Sequence, residues 1–325
     1  MKIVNIIDGI VKRFRKNGGG VNVNPSNVRI SSSAVFEYNF LMQLREREYE
    51  KYLKQIYFLR KGKKLNLKKP LGLNEKIQWL KLHDNLQIKT QLTDKVLARD
   101  FVKEKIGGEY LKPVLKICDN FYDIDFDKLP EQFVIKCNHG CKWQFIVLSK
   151  SELLKEESYF QLIENNINGW MARSFFGWSD FETQYKNIRP KIIIENLLRD
   201  KEDTGCEFCV YCFNSVPKIY ETMLNTKMKT CCIYDENFNI SPLRLINGAV
   251  YKEIAPDENL KKAVRLSEVL AKDFKFVRVD WYRYKGKLYF EEMTFTPFSG
   301  FIPFEDEKFD TDLGNMLNLR GNKNG

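Results

Sequence analysis

Phe276-Val277-Arg278-Val279-Asp280-Trp281-Tyr282, followed by Leu288-Tyr289-Phe290-Glu291-Glu292-Met293-Thr294-Phe295-Thr296-Pro297, is the stretch that decides the fold. Apolar residues interrupted at alternate positions predict two strands, and Gly286 between them predicts a hairpin. Side chains two apart on a strand share a face, so Arg278 and Asp280 point together, as do Glu292 and Thr294 on the neighbour. An arginine, two acids and a hydroxyl then stand among apolar residues, where a carboxylate needs a cation or another partner. Two carboxylates with a hydroxyl or water form an oxygen donor set suited to Mg2+, a hard ion. The plainer alternative is a surface salt bridge between Arg278 and Glu292, a kind of contact that contributes little.

Further strands are predicted at 113–118, 132–137, 145–149, 191–195, 207–213, 218–224 and 231–234. Helices are predicted at about 36–59, 151–165, 258–272 and 310–319. Asn74 and Thr93 read as N-caps of two more helices, the second ended by Gly107-Gly108. Runs of strands broken by separated helices predict an α+β architecture. With 325 residues, 43% apolar and 30% charged, the chain is neither disordered nor fibrous, and its length suits two or three subdomains around a cleft. No apolar run approaches the ~20 residues of a spanning helix. Residues 1–15 show no small-residue cleavage site, which predicts a cytoplasmic protein with its eight cysteines reduced.

The net charge of +10 is half local, because Lys2, Lys12, Arg13, Arg15, Lys16 and Arg29 stand against Asp8 alone in residues 1–29. Ile3, Ile6, Ile7, Ile10, Val11 and Phe14 recur at helical spacing beside those cations, before Asn17-Gly18-Gly19-Gly20. This reads as a basic amphipathic helix on a tether, packed on the body or touching a membrane surface through residues 2–16. No recognition motif accompanies the basic charge, which argues against nucleic acid. Cys206, Cys209 and Cys212, with Cys231-Cys232 downstream, invite zinc or an iron–sulfur cluster, but on a strand Cys209 faces away from the other two. Asp123-Ile124-Asp125-Phe126-Asp127 offers the acid pair many glycosyltransferases use for a metal and a sugar nucleotide, or a solvated loop edge. His83 and His139 are the only histidines, and neither sits in a nucleophile motif. Trp170, Phe175, Phe176, Trp178 and Phe181 form an aromatic group suited to a core, a cleft wall or an acceptor groove.

Arg-x-Asp on one strand and Glu-x-Thr-x-x-Pro on the next resemble the metal-binding end of the ATP-grasp fold, and most closely the TupA-like ATP-grasp family of bacterial cell-surface polysaccharide assembly. The resemblance extends through Asp94-Lys95-Val96-Leu97-Ala98-Arg99-Asp100-Phe101-Val102, Ile124-Asp125-Phe126-Asp127-Lys128-Leu129-Pro130 and Phe133-Val134-Ile135-Lys136-Cys137-Asn138-His139-Gly140. It continues with Ile192-Ile193-Ile194-Glu195, Tyr211-Cys212-Phe213-Asn214 and residues 278–300, in the family's order, over about residues 70–315. It implies two α+β lobes clasping ATP: a first at 111–198 and a second, carrying the metal site, at 199–325, after a helical region at 34–110 and the tethered segment at 1–33.

The resemblance also implies roles. Lys95 and Lys136 correspond to the lysines on the nucleotide phosphates. His139 and Gly140 fall in the phosphate-covering loop, which here has Cys141-Lys142-Trp143 where the family has more small residues. Glu195, Asn196 and Leu198 fall in the adenine-holding hinge, with backbone groups of the last two on the base, and Glu207 stands where an acid takes the ribose hydroxyls. Cys209 occupies a position where the family commonly has lysine; Lys227 and Lys229 are the nearest replacements. Asp280 and Glu292 match the Mg2+ ligands, Thr294 stands in place of asparagine as a weaker one, and Arg278 would steady charge on the transferring phosphoryl group. The implied activity is ATP-dependent ligation of a carboxylate to an amine or thiol through an acyl phosphate. The acceptor would be an amine-bearing molecule or glycan, including a lipid-linked one, met at the inner face of the membrane. The alternatives are a glycosyltransferase of the same pathway and a non-catalytic nucleotide-binding subunit.

Overall fold

The structure, a computed structural model, describes residues 47–84, 87–177, 182–199, 205–224 and 229–320. The expected membrane-touching segment at 2–16, its tether and the first part of the helix expected at 36–59 lie outside the described residues. Four helices open the described chain: α1 (Tyr49–Lys61), α2 (Leu73–His83), α3 (Gln87–Thr93) and α4 (Ala98–Ile106). Both expected N-caps are corrected. Asn74 lies inside α2, whose cap position is Gly72. The Asn74 backbone N–H donates instead to Asp310 Oδ1 at 2.8 Å, supplied from far along the chain. A Cβ on Gly72 would lie 2.6 Å from Asp310 Oδ2, so the bare glycine admits that carboxylate. Thr93 ends α3, and Asp94 Oδ1 accepts from Val96 N (2.8 Å) and Leu97 N (3.3 Å) on the approach to α4.

Strands β1 (Val114–Cys118), β2 (Phe133–Cys137), β3 (Gln144–Val147) and β4 (Ile192–Asn196) form an antiparallel sheet in the order β1-β4-β2-β3. Alternation splits β2: Phe133, Ile135 and Cys137 enter a core with Leu153, Ile163 and Ile167, while Lys136 faces the other way. Those three partners come from α5 (Lys150–Lys155) and α6 (Glu157–Met171), which the sequence pattern had merged into one helix and which break at Glu156.

The larger sheet has the order β10-β9-β5-β6-β7-β8. Its strands are β5 (Cys206–Phe213), β6 (Val216–Leu224), β7 (Thr230–Tyr234), β8 (Val250–Tyr251), β9 (Phe276–Tyr284) and β10 (Lys287–Thr294); β7 and β8 run parallel, the rest antiparallel. One face packs on α4 and on α7 (Glu258–Ala271) through Phe208, Val210, Val279, Trp281, Phe290 and Met293. Asp257 caps α7 by accepting from Leu260 N, and Leu260, Ala263, Ser267 and Leu270 form its buried stripe. Within that apolar layer the Trp281 indole N–H donates to Ser267 Oγ at 2.8 Å, so the buried ring keeps a polar partner.

The opposite face is apolar at one end, where Tyr211, Phe213, Ile219 and Phe276 meet α2 and α8 (Lys308–Met316) through Leu73, Ile77 and Leu313. Toward the other end the same face turns polar. Contacts that tie the sheets there include a bridge from Leu111, ahead of β1, to Phe290, and the Tyr282 hydroxyl, which donates to the Leu198 carbonyl at 2.8 Å. No helix among the described residues is long and apolar enough to cross a membrane.

Candidate active site between the two sheets

The β9–β10 register places Asp280 directly opposite Glu292 and Arg278 opposite Thr294. Arg278 holds Asp280 in a two-pronged contact, Nε to Oδ1 at 2.6 Å and an NH2 to Oδ2 at 2.5 Å. The Thr294 hydroxyl lies 3.2 Å from Asp280 Oδ2 and 3.0 Å from Glu292 Oε1. Burial pushes the Asp280 carboxyl up to about 6 against the pull of Arg278, and Glu292 adds to the rise. Cys209 lies directly opposite both Asp280 and Glu221. Glu221 is itself buried, and burial raises its carboxyl despite the nearby Arg278.

A β-bulge between Phe290 and Glu292 adds a residue to β10. Leu288, Phe290 and Met293 all enter the α7 core, while Glu291 and Glu292 both reach cations at the cleft. Strict alternation would have allowed only one of the two acids there. Glu291 pairs with Lys112 and lies 3.8 Å from Lys136; Glu292 lies 3.7 Å from Lys95. Lys136, on the inner face of the smaller sheet, bonds Glu195 at 2.7 Å, and Arg99 approaches Glu195 at 3.8 Å. Burial alone would lower the Lys136 ammonium, but Glu195, Glu291 and Glu292 outweigh it and raise it. Burial alone would likewise raise Glu291, but Lys112, Lys136 and Lys95 outweigh it and hold that carboxyl down to about 2. Lys95 and Lys136 thus converge with Glu291 and Glu292 in one cleft.

The turn from β2 to β3 is tight. Lys95 Nζ donates to the Gly140 carbonyl at 2.8 Å, and a Cβ on Gly140 would lie 2.4 Å from the Trp143 ring, so only glycine fits under that indole. Lys142 takes φ 60, a left-handed conformation uncommon for a residue with a Cβ. His139 is buried, with Nδ1 at 3.2 Å from Asn138 Oδ1 and Nε2 at 3.0 Å from the Trp170 carbonyl and 3.1 Å from that of Arg173. Nε2 thus ties the turn to the end of α6 while Nδ1 is held within the turn, and burial lowers the ring's pKa. At the end of β4, Asn196 N donates to Pro113 O at 3.4 Å, and Leu198 is held by Tyr282. Half-buried Glu207 lies opposite Tyr282 on the polar face.

Other motifs fall elsewhere. Cys206 and Cys212 lie in the α7 core and Cys209 in the opposite one, and no three histidine, cysteine or acidic residues are grouped to hold a metal among the described residues. Asp123 forms a reciprocal cap with Asn120, and Asp125 pairs with Lys128 at 2.8 Å. That turn packs, through Phe121 and Ile124, on the back of the smaller sheet, away from the cleft. Residues the sequence reading did not single out include Arg99, Lys112, Glu221 and Glu291, and also Glu182, which accepts from the Thr296 hydroxyl at 2.6 Å. Gln184 donates to that same hydroxyl at 2.7 Å, and the Phe175–Tyr185 ring contact (4.6 Å) continues the wall toward Trp143. The donor chemistry of Asp280, Glu292 and Thr294 fits a hard divalent cation: two carboxylates with a hydroxyl within reach of both, and carboxylate lone pairs that the Arg278 fork does not exhaust.

Two sheets clasping a charged cleft, with an acidic pair on a hairpin of the larger one, define an ATP-grasp protein. The chain belongs to the TupA-like ATP-grasp family, whose pattern matches residues 75–318. No curated protein matches it. Among solved structures it is similar to the D-alanine–D-alanine ligase of Bacillus anthracis complexed with ATP (18% identity, 63% of this chain and 53% of that one, TM-score 0.36). It is also similar to the D-alanine–D-alanine ligase of Helicobacter pylori (13%, 76% and 64%, 0.37) and to the L-amino acid ligase of Bacillus licheniformis (13%, 76% and 55%, 0.41). The chain thus spans less than two thirds of the length of each of these enzymes.

Proposed function

We propose that the protein is an ATP-dependent ligase joining a carboxylate to an amine or thiol. The observation that carries this reading is the meeting, in one cleft, of Lys95 and Lys136 with Glu291 and Glu292 of the opposing sheet. In the proposed reaction a carboxylate oxygen attacks the γ-phosphorus of ATP and ADP departs, leaving an acyl phosphate. The amine then attacks the acyl carbon, phosphate leaves and the amine gives up a proton. Lys95 and Lys136 neutralise the phosphates as point charges, and Arg278 steadies the charge that builds on the transferring group. Asp280 and Glu292, assisted by Thr294, would hold Mg2+, which supplies further neutralisation of the phosphate oxygens. Backbone groups of Asn196 and Leu198, beside Glu195, would take the adenine and Glu207 the ribose, under a cover formed by the His139-Gly140 turn. Catalysis on this reading is positioning and electrostatics.

The setting that fits the family resemblance is modification of a cell-surface glycan or its lipid-linked precursor at the inner face of the membrane. The test is a thermal-shift panel of ATP, GTP and sugar nucleotides with Mg2+, on the wild type and on Glu292→Ala. Stabilisation by ATP that vanishes in the variant is expected. A preference for a sugar nucleotide would turn the assignment to a glycosyltransferase. Cys209 beside Asp280 favours one second reading, a nucleotide-binding subunit without turnover. That reading predicts the same ATP stabilisation with no ADP formed in the presence of any carboxylate and amine.

A further inference from the structure

Between α4 and the approach to β1 lies a cavity of about 460 Å³, open to solvent and lined by Arg99, Asp100, Lys103, Leu111, Lys112 and Pro113. Its volume is that of a small-molecule site. Lys103 stands one turn on from both Arg99 and Asp100 on α4, at spacings of four and three. Leu111 and Pro113 give an apolar wall. Three cations face one acid here, and two of the cations have a second role. The Arg99 guanidinium donates to the Lys112 carbonyl at 2.9 Å and approaches Glu195 at 3.8 Å, while the Lys112 ammonium pairs with Glu291 and lies 4.6 Å from the Tyr282 ring centroid. Arg99 and Lys112 thus stand between the cavity and the charged cleft.

We propose that this cavity binds a small phosphorylated organic anion, its phosphate held by Arg99, Lys103 and Lys112 and its carbon skeleton set against Leu111 and Pro113. Arginine offers a planar fork to phosphate and the two lysines add compact charge. Binding there draws on the two cations that also serve Glu195 and Glu291. Those acids then depend more on Lys136, which reaches both. A filled cavity therefore weakens phosphate binding in the cleft, and by linkage nucleotide weakens the anion by the same factor. This second effect rests on the reading of Lys136 as a nucleotide-phosphate ligand; the cavity's own ligand does not.

The experiment is calorimetric titration of the full chain with glucose 1-phosphate, comparing wild type, Lys103→Ala and Asp100→Asn. Lys103 and Asp100 line the cavity and are exposed. Loss of about tenfold in affinity for Lys103→Ala and a gain for Asp100→Asn are expected, each corresponding to about 1.4 kcal/mol per factor of ten. ATP affinity measured without the anion stays unchanged in both variants. Equal affinity of wild type and Lys103→Ala, or no binding by the wild type, overturns the assignment, the former by placing the anion in the cleft. A chain that binds the anion with this pattern but does not bind ATP sinks the ligase reading and leaves the cavity site standing.

Discussion

Glu291 and Glu292 are neighbours in sequence, yet they belong to clusters with opposite charge supply. Around Glu291 and Glu195 stand three cations, Arg99, Lys112 and Lys136. Around Arg278 and Lys95 stand three acids, Asp280, Glu292 and buried Glu221. The consequence shows in the proton affinities: Glu291 is held down to about 2, while Asp280 is pushed up to about 6. The first cluster has one positive charge more than its acids use. The second is short of positive charge, and a divalent ion on Asp280 and Glu292 would supply it. The difference teaches which acids of this cleft are structural and which are available to a ligand.

The largest expected effect is on the first, cation-rich cluster. Lys136→Met strands the buried Glu195 and is expected to cost roughly 3–5 kcal/mol in chemical denaturation. A loss much below that would show that Arg99 and Lys112 suffice, and would blur the distinction between the clusters. The neighbouring acids sharpen it. Glu291→Gln is expected to lose about 1–3 kcal/mol and to leave any Mg2+-dependent nucleotide stabilisation intact. Glu292→Gln, with its ion pair at 3.7 Å and 30% of its side chain exposed, is expected to change stability by about 1 kcal/mol or less and to abolish that stabilisation. Identical behaviour of the two variants in both assays would break the comparison.

A smaller effect lies in the pH profile. Burial lowers the His139 pKa below its ordinary 6.5, so the unfolded chain takes up that proton first. The stability His139 contributes is complete above 6.5 and is lost as the pH falls through its lowered value. Asp280 runs the other way: its contribution is present below 3.8 and lost as the pH rises through about 6. Denaturation midpoints of the wild type and His139→Gln, followed from pH 7.5 to 5, are expected to draw together as the pH falls; parallel curves would contradict the buried neutral ring. The smallest effect is expected at the turn behind the smaller sheet, where Asp125→Asn is expected to leave melting temperature and nucleotide binding unchanged.

Much of this arrangement was legible in the chain. Alternation in 276–282 and 288–295 placed Arg278 with Asp280 and Glu292 with Thr294, and the hydrogen bonds within each pair bear this out. The bulge left a signal that went unread: Leu288, Phe290, Met293 and Phe295 are spaced two, three, two, so an extra residue had to fall between Phe290 and Met293. Arg99, Lys112 and Glu221 left none, because each gains its partner only through pairings between distant strands and helices. The caps failed for a related reason. Asn74 and Thr93 are good capping residues locally, but the carboxylates that meet N–H groups there, in the first turn of α2 and on the approach to α4, come from Asp310 and Asp94, and the former is 236 residues from Asn74.

Two of the contacts that tie the sheets, Leu111 to Phe290 and Tyr282 to Leu198, lie at nearly the same level of the β9–β10 hairpin. Arg278 and Thr294 lie four residues beyond them, about 13 Å at the usual rise of a strand. The far end is held as well: Glu291 reaches Lys136 of the smaller sheet, and Thr296 meets Glu182 and Gln184 just ahead of β4. The cleft is therefore braced at both ends, and the arginine sits in a span whose width two sets of contacts fix.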